Sequence, residues 1–295
     1  NVGLLCNAEV DFVDIDSETY NMCPSALSIK LKDAEKNGKL PKIVMPVHFA
    51  GQSCDMINIK KLSEKYGFKI IEDASHAIGG IYNNTKIGSC KFSDITVFSF
   101  HPVKIITTAE GGCAITNDEN IFEKLKLLRS HGVTRDPRNM VKKTLDKWAY
   151  DQISIGFNYR MSDMNAALGL SQLSRIDSFI DKRKKIAKKY FQKLKNIDLK
   201  LPKQEDYNFS ALHLFPIQVK NRKTIFNLLH QNNIKVNVHY RPIHTQPFWQ
   251  KRGFKLGLFP NSELYYSRAI SLPIFYDLND EMQNNVINVL QKSCL

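Results

Sequence analysis

Short apolar runs alternate with amphipathic stretches along most of this chain, which predicts an α/β fold with helices on both faces of a largely parallel sheet. The clearest run, residues 95–100, is apolar and rich in β-branched side chains and therefore predicts a buried strand. Pro102 cannot donate a backbone hydrogen bond to a sheet and ends this strand. Gly111 and Gly112 permit a tight turn into a second predicted strand, residues 113–116.

The same periodicities predict two domains, a large one over residues 1–195 and a small C-terminal α/β domain over residues 196–295. Ser162 is a predicted N-cap, and Gly67 is a predicted helix stop. In the large domain we predict helices 24–36, 57–66, 120–128, 163–173 and 176–194 and further strands 9–15, 43–47 and 68–73, with a long loop over 129–152. In the small domain we predict strands 212–219 and 235–239 and helices 223–231 and 281–291.

Lys104 follows the 95–100 run in a segment with almost no other charge. A free lysine has a pKa of about 10.4 and is almost always protonated at neutral pH. Burial lowers that pKa, and a neutral amine can attack a carbonyl to form a Schiff base. The alternative is an ordinary surface lysine whose ammonium group reaches water past an apolar stem.

Asp73 ends another predicted strand, and ligands of open α/β sheets sit just beyond the carboxyl ends of strands. A Schiff-base lysine together with an aspartate for a pyridinium nitrogen is the arrangement used with pyridoxal 5′-phosphate (PLP). The alternative role for Asp73 is a helix N-cap, and the two roles are compatible.

Composition narrows the function classes further. The 295 residues are 43% hydrophobic, enough for one large or two ordinary domains, and no apolar run is long enough to span a membrane. The formal net charge is +13, but no nucleic-acid motif accompanies it, so we expect a solvated lysine-rich surface and no nucleic-acid partner. Six scattered cysteines show neither metal spacing nor a disulfide framework, so we expect no metal site and a cytoplasmic location.

Five motifs occur in one order along the chain and carry a resemblance to a known family. They are Glu-Asp-Ala-Ser-His-Ala (72–77), Ser-Phe-His-Pro-Val-Lys (99–104), Thr-Thr-Ala-Glu-Gly-Gly (107–112), Arg-Ser-His-Gly (129–132) and Asn-Tyr-Arg-Met-Ser-Asp (158–163). With them the chain strongly resembles the DegT/DnrJ/EryC1/StrS family of PLP-dependent nucleotide-sugar aminotransferases over essentially its whole length. Within that family it is most similar to the enzymes of pseudaminic acid synthesis.

The resemblance implies a fold-type-I PLP-dependent transferase that takes an amino group from glutamate and passes it to a UDP-linked 4-keto-6-deoxy-N-acetylhexosamine. It also implies a homodimer with shared active sites. Lys104 would carry the Schiff base and move the proton, and Asp73 would hold the pyridine nitrogen protonated. His76 would face the cofactor's phenolic oxygen, with a core histidine as the alternative. Ser99 would bind the phosphate.

Four further residues are assigned by the same resemblance. Asn158 would reach the PLP phosphate of the partner subunit. Arg160 would contact substrate, with an interface ion pair as the alternative. His239 and Tyr240 would contact the sugar or nucleotide, with an ordinary strand end as the alternative.

The resemblance also places a phosphate-binding turn and a ring-stacking aromatic upstream of Asn1, so we expect a chain truncated at its N-terminus that retains PLP weakly. Two rival functions stay open at this point. One is a PLP-dependent sugar dehydratase of the same family, whose members carry histidine where Lys104 stands. The other is a truncated, inactive family member.

Overall fold

A computed structural model describes residues 1–141 and 146–294, so residues 142–145 of the predicted loop 129–152 lie outside the described residues. The helices are α1 (Val2–Leu5), α2 (Pro24–Lys36), α3 (Met56–Tyr66), α4 (Glu119–Leu128), α5 (Asp163–Leu173), α6 (Ile176–Leu194), α7 (Arg222–Gln231), α8 (Pro247–Gln250), α9 (Pro260–Arg268) and α10 (Asp280–Ser293), with 3-10 turns at Phe49–Gly51 and Ile243–Thr245. The strands are β1 (Ile43–Val44), β2 (Lys69–Asp73), β3 (Ile81–Tyr82), β4 (Thr85–Lys86), β5 (Ile95–Ser99), β6 (Gly112–Ile115), β7 (Val133–Thr134), β8 (Asp151–Gln152), β9 (Asn208–Phe209), β10 (Phe215–Gln218) and β11 (Ala269–Leu272).

The central sheet has the order β1-β2-β5-β6. Strands β1, β2 and β5 run parallel, and β6 returns antiparallel to β5. Asp73 pairs with Val97, so the carboxyl ends of β2 and β5 lie close together. The predicted α/β class with a mainly parallel sheet is therefore confirmed, with one antiparallel strand at its edge.

Helix boundaries follow the capping residues that the sequence displays. Asp55 accepts the Asn58 backbone N–H at the start of α3, and Gly67 ends that helix with a φ of 78°. Ser162 accepts the Asn165 backbone N–H and caps α5, as predicted. None of the helices in the described ranges is long and apolar enough to cross a membrane.

Two large apolar clusters form the core. One packs Leu31 of α2 and Ile59 of α3 against Ile70 of β2. The other joins the second half of α6, from Ile186 onward, to strands β10 and β11 and helices α7 and α10. Because α6 contributes to this second cluster, the C-terminal core begins before residue 196, and the predicted domain boundary stays a prediction.

Two predicted strands are wrong. Residues 9–15 form no strand; instead the Phe12 ring packs on Trp249 with centroids 4.9 Å apart. The Asp14 carboxylate accepts the backbone N–H groups of Asn261 and Ser262 at 2.9 and 3.0 Å, which caps α9. The alternation of apolar and polar residues in 9–15 therefore comes from the packing of this segment on residues of the C-terminal region, not from pairing in a sheet. Residues 235–239 also form no strand and contribute one isolated bridge, Asn237 to Ser271.

A buried polar network lies behind the end of β2. Glu72 is 5% exposed, and one of its oxygens lies 2.7 Å from Nε2 of the fully buried His48. Nδ1 of His48 accepts the Cys54 backbone N–H at 3.1 Å, so Nε2 carries the proton that is donated to Glu72. The other Glu72 oxygen accepts the hydroxyls of Ser93 and Thr96. Burial alone would raise the pKa of Glu72, but these hydrogen bonds outweigh it and hold that pKa below its usual value.

This network fixes the backbone next to Asp73. The His48 N–H donates to the Asp73 carbonyl at 3.0 Å, and the Asp73 N–H donates to the Pro46 carbonyl at 2.9 Å. Since side chains alternate along a strand, Glu72 and Asp73 point to opposite faces of β2. The Glu72 side therefore holds the strand end in place while the Asp73 side stays available to a ligand.

We predict that Glu72→Gln lowers the free energy of unfolding by about 1–3 kcal/mol near pH 7. Both oxygens of Glu72 accept hydrogen bonds, and the NH₂ group of glutamine would replace one of these acceptors by a donor that faces another donor. A lowered carboxyl pKa stabilises the fold above the unfolded pKa of about 4.3 and loses that effect as pH falls through the folded pKa. The difference in the free energy of unfolding between wild type and variant, measured by urea unfolding, should therefore become smaller below that pH. Glu64→Gln, at an exposed position of α3, is the control and should show no such difference. A constant difference across the whole pH range would contradict a charged Glu72.

Candidate functional site

Lys104 is held by the turn that follows β5. Its backbone N–H donates to the His101 carbonyl at 2.9 Å, and the Thr108 N–H closes the loop on the Phe100 carbonyl at 3.0 Å. Ile105 and Ile106 are buried directly after it, so the loop is anchored by its own apolar side chains. Lys104 is therefore held in a half-buried position next to the carboxyl ends of β2 and β5.

Burial makes the Lys104 amine easier to deprotonate than the amine of an exposed lysine. Burial lowers the pKa of its amine, and the negative charge of Asp73 opposes part of that shift. Lys104 and Asp73 are thus close enough for their charges to interact. A lysine with a lowered pKa can serve as a nucleophile or base near neutral pH.

The Asp73 carboxylate is tied down through one oxygen. Oδ1 accepts the Ser75 N–H at 3.0 Å, and within the described part of the chain Oδ2 accepts no hydrogen bond. The residues after Asp73 form turns rather than a helix, so the carboxylate orders a turn and caps no helix. This leaves an oxygen free to meet a ligand at the strand end.

His76 lies in the same cluster, 7% exposed. The Ala50 N–H donates to its Nδ1 at 3.3 Å, so the neutral ring carries its proton on Nε2. Burial, together with the positive charges of Lys104 and His239, lowers the pKa of His76 to about 4, although the negative charge of Asp73 opposes the shift. Near neutral pH His76 is therefore an uncharged hydrogen-bond donor through Nε2.

His239 and Tyr240 approach this cluster from the C-terminal region. The His239 Nδ1 lies 2.8 Å from the Ser271 hydroxyl, and burial and the Lys104 charge both lower the pKa of His239. The Tyr240 ring is stacked over His76 with centroids 6.3 Å apart. Burial, and then the charge of Asp73, raise the pKa of Tyr240.

Two aromatic neighbours of His76 were not predicted. Phe49 lies with its ring centroid 6.0 Å from that of His76, and His213 lies 4.4 Å away. Phe49 could have been found by applying to β1 the strand-end argument used for Asp73, since it follows the bridge at Val47. His213 gave no signal, because a single histidine within an apolar run resembles an ordinary core residue.

The remaining predicted residues lie apart from Lys104 or at its margin. Ser99 ends β5 opposite Gly112, and its hydroxyl makes one long contact, 3.4 Å, with the His101 N–H. Asn158 and Arg160 are exposed, and in the described residues no contact joins either of them to the Lys104 cluster.

The segment after Arg160 nevertheless packs on the loop that follows Lys104. Asn165 donates to the carbonyls of Thr108 and Glu110. A Cβ at Gly111 would lie 2.8 Å from the Met161 methyl carbon, so this loop and the start of α5 are in close contact.

The chemistry of this donor set fits a phosphorylated pyridine aldehyde. A lysine with a lowered pKa suits the aldehyde, a carboxylate with a free oxygen suits the pyridine nitrogen, and the Nε2–H of His76 suits an anionic oxygen. No residue set in the described ranges has the make-up of a metal site.

Comparisons with known proteins place this chain in a family. The sequence model of the DegT/DnrJ/EryC1/StrS aminotransferase family matches residues 1–291. A UDP-4-amino-4,6-dideoxy-N-acetyl-beta-L-altrosamine transaminase of Campylobacter jejuni is 36% identical over 303 residues, with 99% of this chain and 76% of the relative covered.

Solved structures agree with the sequence relatives. PseC of Helicobacter pylori, an aminotransferase involved in the biosynthesis of pseudoaminic acid, superposes with a TM-score of 0.88 at 32% identity over 99% of this chain and 75% of that chain. The PLP form of a putative sugar aminotransferase, Spr1654 of Streptococcus pneumoniae, gives 0.86 at 27% identity over 99% and 77%. The predicted fold-type-I transferase architecture is confirmed by these neighbours, and the chain belongs to the DegT/DnrJ/EryC1/StrS aminotransferase family.

Proposed function

We propose that this aminotransferase uses PLP to move an amino group from glutamate to C4 of a UDP-linked 4-keto-6-deoxy-N-acetylhexosamine. The product would be a UDP-4-amino-4,6-dideoxy-N-acetylhexosamine, a precursor of a cell-surface or flagellar glycan made in the cytoplasm. The observation that carries the PLP chemistry is the convergence of Lys104, Asp73 and His76 at the ends of β2 and β5. The names of the Campylobacter and Helicobacter relatives support the substrate class.

Bound PLP supplies an aldehyde that accepts the amino group and a protonated ring that withdraws electrons. Lys104 would hold the cofactor covalently and move the proton between the substrate carbon and the cofactor, a task that its lowered pKa favours. Asp73 would pair with the ring nitrogen through its free oxygen. Opposite charges about 4 Å apart are worth about 4 kcal/mol at an effective dielectric of about 20, enough to keep that nitrogen protonated.

The other residues would orient the bound molecules. His76 would donate its Nε2–H to the phenolic oxygen, and Ser99 would donate its hydroxyl to the phosphate. His239 and Tyr240, which face His76 and Lys104 from the C-terminal region, would contact the sugar or nucleotide. Arg160 would help hold the anionic substrate. The first rival function, a sugar dehydratase, is disfavoured because Lys104 stands where those relatives carry histidine.

A homodimer with shared sites is the proposed active unit. Apolar side chains surround Asn158 on the surface: Ile155 is 88% exposed and Met164 83%, and the exposed rings of Phe157 and Tyr159 stack on each other 4.7 Å apart. Exposed apolar patches of this kind mark interaction surfaces. A second copy covering this patch would bring Asn158 towards the partner's phosphate.

Borohydride reduction of the protein saturated with PLP should attach the cofactor irreversibly to Lys104, because burial lowers the pKa of its amine. Peptide mapping by mass spectrometry locates the label. Lys104→Ala should abolish it, whereas Lys91→Ala, at an exposed lysine, should leave it unchanged. A label on Lys91 or on another surface lysine would refute the assignment.

Incubation with PLP, glutamate and the UDP-4-keto sugar should yield 2-oxoglutarate and the 4-amino sugar in equal amounts, as followed by chromatography and mass spectrometry. Lys104→Ala should lower this rate by at least about 10²-fold, because the base for proton transfer is lost. Lys91→Ala is the matched control. Loss of a sugar hydroxyl without amino transfer would favour the dehydratase, and no conversion of the keto sugar would refute the substrate class.

Asn158→Ala and Lys104→Ala homodimers should each be nearly inactive, because each removes a contact from both sites; a hydrogen bond to a charged phosphate is worth about 1.5–3 kcal/mol. Mixing equal amounts should restore about a quarter of the wild-type activity, because about half of the dimers are then hybrids with one intact site. Asn285→Ala, at an exposed position of α10, is the control and should stay active. If the mixture is no more active than the average of its parents, Asn158 does not serve the partner's site.

A further inference from the structure

His213 is a buried histidine to which the proposed reaction gives no role. It is 6% exposed, and its Nδ1 has no hydrogen-bond partner among the described residues. A buried polar atom without a partner costs about 1–3 kcal/mol, so an apolar ring would be the more stable choice at this position. The only ring packed on His213 in the described chain is His76, with centroids 4.4 Å apart and planes inclined by 38°.

The backbone of His213 is fixed by a buried guanidinium. Arg183 of α6 is 7% exposed, and its Nη1 donates to the carbonyls of Leu212, His213 and Ile274 at 3.1, 3.2 and 2.8 Å. No carboxylate pairs with Arg183 in the described residues. Its positive charge is therefore held by backbone carbonyls and remains uncompensated beside His213.

The turn that orients His76 also holds this segment. The Ala211 N–H donates to the Gly51 carbonyl at 3.0 Å, and the Leu214 N–H donates to the Ala50 carbonyl at 3.2 Å. A Cβ at Gly51 would lie 2.7 Å from the Leu212 nitrogen, so this close approach requires glycine, whose φ is 104° here. Because the Ala50 N–H also holds Nδ1 of His76, one turn sets the positions of both rings.

We propose that His213 is a positioning residue for His76: its uncharged ring covers the His76 imidazole, keeps water from it, and holds it uncharged with the proton on Nε2. The consequence for amino transfer rests on the proposed function, but the effect on His76 does not. The covering ring leaves Lys104 as the group in this cluster that gains and loses the proton.

Most of the charges around the His76 and His213 rings disfavour their protonation. His76 faces Lys104 and His239, which disfavour its protonation, Asp73, which favours it, and the rings of Tyr240 and Phe49. Burial, and then the positive charges of His76, Lys104, Arg183 and His239, lower the pKa of His213 to about 2. A proton on either ring would add positive charge to a site that already holds Lys104 and Arg183.

The test measures the protonation of His76 directly, by NMR titration of histidine rings labelled with ¹³C and ¹⁵N in the protein without PLP. The His76 signal is assigned by its loss in His76→Asn. In the wild type it should stay uncharged down to about pH 5, below the ordinary histidine value of about 6.5. His213→Ala and His213→Asn should raise the His76 midpoint by about one pH unit or more, because water then reaches the ring.

Matched variants distinguish the loss of the ring that covers His76 from a general loss of packing in the protein. His213→Phe keeps a covering ring without the Nδ1 atom and should leave the His76 midpoint unchanged. His230→Ala removes a histidine whose ring lies 4.6 Å from Phe226 at a similar inclination, 30°, and should not affect His76. The proposal is overturned if the wild-type midpoint lies near about 6.5, if neither His213→Ala nor His213→Asn raises it, or if His213→Phe or His230→Ala raises it as much.

A second measurement links the ring to catalysis. In the PLP-loaded enzyme the acid limb of the kcat–pH profile should move with the His76 midpoint in His213→Ala and stay in place in His213→Phe. If the wild type transfers no amino group, the proposed function fails while the NMR result still decides the role of His213. If the profile stays fixed although the midpoint moves, the link between His213 and catalysis is overturned.

Discussion

The site depends on the parallel pairing of β2 and β5. Their register places the carboxyl ends of the two strands side by side. Asp73 lies at the end of β2, and the turn that carries Lys104 follows the end of β5. Parallel strands that end together offer side chains from segments distant in sequence to one ligand. The Glu72 network and the His48 backbone keep that edge in register from the opposite face of the sheet.

Burial then sets the charge state of each group at this edge. It lowers the pKa of Lys104 and of three histidines, because a cation is costly away from water and each added positive charge repels the next. The carboxylate of Asp73 is the opposing charge within reach of Lys104 and His76. A site with one mobile proton and one fixed carboxylate suits a cofactor whose ring must be protonated while its substrate carbon is deprotonated.

The helices that begin or end at a recognisable capping residue were predicted correctly from the sequence. Helices α2, α3, α5 and α6 follow from periodicity and from caps such as Ser162 and Gly67, which act locally. Residues 9–15 and 235–239 failed because alternation shows which side chains are buried but not whether a neighbouring strand exists to pair with. His213 was missed for a related reason: its importance comes from contact with His76, which is 137 residues earlier in the chain (213 minus 76). Asn158 and Arg160 are exposed and have no contact with the Lys104 cluster in the described residues, so their predicted roles stay predictions.

Three buried polar groups show how the fold separates support from function. Glu72 stays charged because hydrogen bonds from His48, Ser93 and Thr96 replace its water. Arg183 stays charged on backbone carbonyls alone, which suits a guanidinium because it loses its proton less readily than any other side chain. His213 has no such replacement and remains uncharged. Glu72 and Arg183 thus have hydrogen-bond partners, whereas Asp73 and His213 each keep one polar atom without a hydrogen bond in the described residues. The free oxygen of Asp73 is one that a bound molecule can complete, which supports this cluster as the proposed site.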